Sequence, residues 1–360
     1  MRKWSGIALF VVLGFATAVG FGFFAQFTSA PRYHDDEQQG LSEQTVIRFS
    51  FIVAENTPKG LAAQEFARLV RQKTNDIIQV QLFPNGTLYN ETDEITALQR
   101  GSIQMVAPSF SNISEIVPDW MAMDLPFAFA NEEAVQNAFH GKLGDMLMKK
   151  LEAKGMIGLA FWPNGFQQMT SNRGELIHPQ DFRGLKFRIL PSRVIESQFR
   201  QLEASTVRIP FNQVYRSMES SIVDSGENTI SNIYSRKLYQ VQRYLTVSNH
   251  AYLGYGVLMN KEFWARLKPE EQRAVTEAME EATAWANRNS AALTQKQWEE
   301  LKKTGGMDIH NLTPEERQEW QQALEPVYEE MRPHIGKDVM DAVQELRRAY
   351  RDAAPEVYPL

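Results

Sequence analysis

The segment that decides the fold is DFRGLKFRILPS, residues 181–192. A short polar stretch ends at Gly184. Leu185, Phe187 and Ile189 then alternate with Lys186, Arg188 and Leu190, the period-two pattern of a strand with one face in a core. Pro191 and Ser192 close the strand, and Ser192 can cap a helix over 192–203 marked by Val194, Ile195, Gln198 and Phe199. One arginine, Arg188, stands beside the last residue of the strand. Taken alone, a solvated strand face accounts for it, so the sequence around it carries the weight.

Working outward, GLAFWPNG (158–165) and MTSNRG precede the segment. A strand at TVRIP (206–210), a helix from Asn212 and a short strand at Ile222–Asp224 leading into the SGENT loop follow it. An earlier series has the same rhythm: strand VIRFSFIVA (46–54), helix, strand IIQVQLF (77–83), a helix through EITALQRGS, and strand IQMVAPS (103–109). Strands alternating with helices of this length indicate βαβ units and mostly parallel sheets, here in two α/β domains. The strand-like YLGYGVLMN (252–260) can return the chain to the first sheet. Residues 269–304 read as one helix, with Pro269 in its first turn and Gly305 and Gly306 to stop it. At 1.5 Å per residue it runs about 55 Å, long enough to lie across both domains. Thr313 and Glu316 form a capping box ahead of a further helix.

Composition narrows the function classes. The 360 residues are 43% hydrophobic and 23% charged, with a net charge of −6 and no cysteine. Disulfides, thiolate nucleophiles, iron–sulfur clusters and cysteine-based zinc sites are therefore excluded. No basic run with interleaved aromatics is present, so nucleic acid is not an expected partner. Met1, Arg2 and Lys3 precede an uncharged, mostly apolar run from Trp4 to Ala30, an export signal. Thr28 and Ala30 suit cleavage, while the run exceeds the roughly 18 apolar residues that span a bilayer. Residues 1–30 are thus either a removed signal peptide or a retained anchor over residues 4–27, and 31–44 a polar linker. Either way the body lies outside the cytoplasm.

Catalytic patterns are not found in the sequence. The six histidines (His34, His140, His178, His250, His310, His334) are scattered, without the i, i+3 or i, i+4 spacing of a metal site. GxSxG, GxxxxGK[ST] and GxGxxG are all missing, and Asp35–Asp36 and Glu132–Glu133 read as solvated faces. No cofactor and no enzymatic activity are expected. Phe161, Trp162, Phe166 and Phe211 fall near loop junctions, where they either line a cleft or belong to the core. Ligands of open α/β sheets bind outside the carboxyl ends of parallel strands, where Arg188 and Asn228 of the SGENT loop are expected. A guanidinium offers a planar fork of donors matched to a carboxylate, and an Asn amide can add another. Glu227 is expected to pair with Arg188 when the cleft holds no anion. The residues point to a receptor for a small anion.

Beyond these residues, FSFIVAENTPKG (49–60), FPNGTLYNETDEITALQRGSIQMVAPS (83–109), GLAFWPNGFQQMTSN (158–172), DFRGLKFRI (181–189), IPFNQVY (209–215) and VDSGENTISN (223–232) stand in one order and spacing. In these the chain resembles the DctP-type solute-binding proteins of tripartite ATP-independent periplasmic (TRAP) transporters, over about Val46 to residue 345. The resemblance implies a two-domain periplasmic-binding-protein fold with hinge strands and a long domain-spanning helix. Its implied bounds are 45–164 with 253–295 for one domain, 165–252 with 296–345 for the other, and a tail over 346–360. It implies a periplasmic monomer that binds a small organic acid between the domains and hands it to integral-membrane subunits; a receptor that reports to a signalling partner is the rival reading.

By the same resemblance, Arg188 grips the ligand carboxylate, Asn228 hydrogen-bonds it, Phe211 packs on it and Lys59 helps to hold a dicarboxylate. Three positions depart from the family pattern: Gln167 replaces a second cation, Phe51 stands where FSH is common, and Gln213 replaces a glutamate. A neutral amide gives hydrogen bonds without charge. A four-carbon dicarboxylate (malate, succinate or fumarate) is the default ligand, and a monocarboxylate such as a 2-oxo, hydroxy or sugar acid is its competitor.

Overall fold

The computed structural model describes residues 44–354. The export segment and nearly all of the linker, and the last residues of the tail, lie outside them. Nine strands form one mixed sheet: β1 (Thr45–Ser50), β2 (Ile78–Phe83), β3 (Met105–Val106), β4 (Met156–Ser171), β5 (Lys186–Ile189), β6 (Ser205–Arg208), β7 (Ser225–Thr229), β8 (Tyr244–Asn260) and β9 (Asp308–Asn311). Their order is β2-β1-β3-β8-β4-β7-β5-β6, with β9 beside β8. At one end β1 pairs in parallel with β2 and β3. At the other, β5 pairs in parallel with β6 and β7.

Two α/β lobes thus sit on two parallel half-sheets, joined by β4 and β8, which run antiparallel to each other. The end of β8 pairs with β3, and the end of β4 pairs with β7. Irregularities between Gly158 and Ala160, Pro163 and Gly165, and Gln167 and Met169 interrupt the β4–β8 register. Such bulges bend a strand and sharpen its twist.

Side chains alternate across this sheet, so its two faces carry separate cores. Met105, Trp162 and Val257 enter one cluster, while their neighbours Val106, Phe161 and Leu258 enter the other. The long helix spans Pro269–Thr304, as its capping residues predict. It packs on the helix Pro58–Lys73 of the first lobe, on β4, and on the helix Ile230–Ser235 of the second. Trp162 Nε1 donates to its Thr283 Oγ1 at 2.9 Å. Many of its outward positions are charged and exposed, and no helix among the described residues is long and apolar enough to cross a membrane.

Several elements differ from the sequence expectation. Strand β7 is SGENT itself and not Ile222–Asp224, because Ser225–Thr229 finds partners on both sides in β4 and β5. IQMVAPS contributes a strand of just two residues and an isolated bridge from Ser109 to Tyr255. The segments around GLAFWPNG and MTSN form one strand, and YLGYGVLMN is the latter half of β8. The helix Lys337–Ala349 runs past residue 345 into the expected tail.

Candidate functional site

The alternation in β5 sends Phe187 into one core, where it stacks on Phe182 and Phe199 at 5.5 and 4.2 Å. Arg188 therefore points to the opposite face. It is 2% exposed. Its Nε donates to the Ile209 carbonyl at 2.8 Å, its Nη nitrogens have no hydrogen-bond partner and no carboxylate lies within 4 Å among the described residues. Burial pulls its pKa below the usual guanidinium range, with Glu91 and Glu227 opposing. A cation with an unspent fork is set for an anion.

The sheet supplies its neighbours. Arg188 faces Gly226 across the β5–β7 ladder, and two residues on, on the same face, is Asn228. Asn228 Oδ1 accepts from Asn232 Nδ2 at 2.7 Å and from Thr229 N at 3.1 Å, which turns its amide nitrogen outward as a donor. From the other lobe comes Lys59, in the first turn of the helix Pro58–Lys73. Thr57 caps this helix by accepting from Gly60 N, and a Cβ at Gly60 would lie 2.4 Å from the Ala54 carbonyl. So tight a turn buries Lys59. Its Nζ donates to Ala107 O at 2.8 Å and sits 3.6 Å above the Tyr255 ring. Burial pushes its pKa down to about 8, with Glu94 and Glu91 pulling the other way.

Lys59, Gln167, Arg188, Phe211 and Asn228 line one cavity of about 30 Å³ with Glu91, Glu94, Asn112, Asn232 and Tyr255. The lobes touch at its rim. Glu91 Oε2 accepts from Phe211 N at 2.7 Å, and its Oε1 accepts from Asn112 Nδ2 at 3.0 Å. Arg236 stacks over the Phe211 ring at 4.6 Å and donates to Ile52 O at 3.2 Å. Asn164 Nδ2 donates to the Tyr255 hydroxyl at 2.6 Å.

Two expected residues stand elsewhere. Glu227 is on the opposite face of β7 from Asn228, where its Oε2 meets His250 Nε2 at 3.0 Å, so it pairs with His250 and not with Arg188. Phe51 is fully buried against Phe49, their ring centroids 5.6 Å apart, and does not line the cavity. Of the four aromatics with two readings, Phe161, Trp162 and Phe166 are core, and Phe211 lines the cavity.

Glu94 escaped the sequence reading. Its signal is a carboxylate on the buried stripe of its own helix, four residues before Leu98. Glu91, Asn112, Asn232 and Tyr255 come from separate segments that folding alone brings together. Among the described residues no His, Asp and Glu group is placed to hold a metal ion.

A cleft between two α/β lobes, walled by buried cations and amide donors, is the site of a binding protein for a small anionic solute. The chain belongs to the bacterial extracellular solute-binding protein family 7 (DctP), whose model matches residues 49–333. It is 43% identical over 338 residues to the C4-dicarboxylate-binding protein DctB of Bacillus subtilis, covering 94% of this chain and 97% of that one. A TRAP periplasmic solute-binding protein of Shewanella oneidensis, solved with bound succinate, superposes with a TM-score of 0.82 at 35% identity. That match covers 84% of this chain and 99% of the other. The sugar-acid-binding protein DctPAm of Advenella mimigardefordensis, in complex with galactonate, gives a TM-score of 0.82 at 31% identity over 85% and 99% of the two chains.

Proposed function

We propose that this protein is the extracytoplasmic receptor of a TRAP transporter and takes a C4-dicarboxylate (succinate, malate or fumarate) between its lobes. The observation that carries the reading is Arg188: buried, anchored by Nε, and with both Nη nitrogens unspent at the cavity. Lys59 faces the same cavity from the other lobe, so a ligand with two acidic ends can engage both. Domain bounds of 45–164 with 253–295 and 165–252 with 296–345 fit this division of labour. Ligand that contacts both lobes stabilises the closed form by its differential affinity. That form is what the membrane subunits would accept. The similarity to dicarboxylate-binding relatives supports the choice of ligand.

Gln167 supports a second reading. A neutral amide at the cavity suits a monocarboxylate or sugar acid, and one similar structure was solved with galactonate bound. A thermal-shift panel separates the two, because a ligand that binds the folded form raises its melting temperature. Succinate, malate and fumarate should give the largest shifts. Larger shifts with 2-oxo, hydroxy or sugar acids would favour the second reading. Export to the periplasm, with residues 1–30 removed or kept as an anchor, is tested by N-terminal sequencing of the exported protein.

A further inference from the structure

Glu94 opens the helix Glu94–Gln99. Its side chain is fully buried and lines the cavity, and neither carboxyl oxygen has a hydrogen-bond partner among the described residues. A buried carboxylate is costly unless it is neutralised or given partners. The titratable groups that reach it are Lys59 from the helix Pro58–Lys73, Glu91 from the preceding loop and Tyr255 from the sheet, while Arg188 lines the same cavity. Lys59 is committed to Ala107 O and lies beyond ion-pair distance of Glu94. Burial pushes the Glu94 carboxyl up to about 8, with Lys59 opposing and Glu91 adding to the rise.

We infer that Glu94 selects the second carboxylate of the ligand: on closure it takes one proton from solvent and, as a neutral carboxyl, donates a hydrogen bond to that carboxylate. This rests on the diacid reading above. Charge counting supports it. Among the residues lining the cavity Arg188 and Lys59 bring two positive charges and Glu91 one negative, so a dianion leaves them with one excess negative charge. The Arg236 guanidinium stands outside the lining, behind the Phe211 ring. An ionised Glu94 would add a second, beside the ligand's own, in a site that excludes water. Gln167 has no charge to offset it. A monoanion leaves no such excess and needs the proton less.

The sign of the pH dependence follows. A solvated glutamate titrates near 4.3, well below the value in the closed cleft. Closure from an open form in which Glu94 meets solvent therefore binds a proton, and affinity falls as pH rises through the interval between those values. Calorimetry of the full-length protein with succinate, in phosphate and in Tris near neutral pH, counts that proton. Wild type should take up about one per succinate, and Glu94→Gln about none. Between about pH 6.5 and 7.5, where succinate is a dianion, the wild-type Kd should rise about tenfold per pH unit and that of Glu94→Gln should stay flat. Binding by wild type without proton uptake, or full uptake by Glu94→Gln, overturns the inference. A wild type that binds monocarboxylates and no diacid overturns the diacid reading and the inference with it.

Discussion

Replacing Arg188 by methionine removes the guanidinium and keeps most of the stem that packs beside β7. The Nε bond to Ile209 O is lost, at a cost of about 1 kcal/mol. In return the fold no longer buries a cation without a carboxylate in contact, a relief of similar size. The unliganded variant should therefore melt within about 4 °C of wild type. Binding should respond very differently. Two Nη–carboxylate hydrogen bonds at about 1.5–3 kcal/mol each amount to about 3–6 kcal/mol, a rise in Kd of about 10²–10⁴-fold. Titration calorimetry with succinate measures the Kd, and scanning calorimetry measures the melting temperature. A Kd within about threefold of wild type would refute the assignment of the anion site. A melting temperature lower by more than about 10 °C would show instead that the arginine holds the fold together.

Three further perturbations address other parts of the structure. Glu91→Ala removes the acceptor of the Phe211 amide at the rim of the cleft; hydrogen exchange at that amide should quicken by about tenfold, and unchanged protection would deny the carboxylate a part in closure. Asp124 is buried, with Ser111 Oγ donating to its Oδ1 at 2.8 Å, and burial raises its carboxyl to about 7. The folded chain holds a proton there that the unfolded chain releases, so this group costs stability as pH rises from about 4 to about 7. Urea unfolding of Asp124→Asn should lose less stability than wild type between about pH 5 and 8, and equal losses would contradict the argument. Gly254→Ala would bring a Cβ within 2.4 Å of Phe110 Cζ and 3.3 Å of Trp162 O. Overpacking of this kind costs about 1–3 kcal/mol, readable as a lower melting temperature; an unchanged one would show that the Phe110 ring can swing aside.

Local pattern made much of the molecule legible. The 36-residue helix was readable because Pro269 and the Gly305–Gly306 pair mark its ends. Arg188 was readable because alternation in β5 separates it from Phe187. The sequence did not disclose which residues of SGENT pair, since β7 depends on partners supplied by β4 and β5 rather than on its own polar composition. Glu227 illustrates the same limit. A shift from loop to strand sets its face opposite to that of Asn228, and with the face goes the partner, His250 in place of Arg188. The polar wall of the cavity was the least legible part, because Glu91, Asn112, Asn232 and Tyr255 are each unremarkable in their own segments. Glu94 could have been found, as a charge on an otherwise apolar helix stripe.

Strands β4 and β8 belong to both half-sheets at once. Neither lobe is therefore a separable genetic cassette. A gene cut at either crossing would strand half of a 16- or 17-residue strand and leave raw ladder edges open to pairing with other chains. Chimaeras that trade ligand preference between relatives should exchange the walls of the cleft and leave the two shared strands in place.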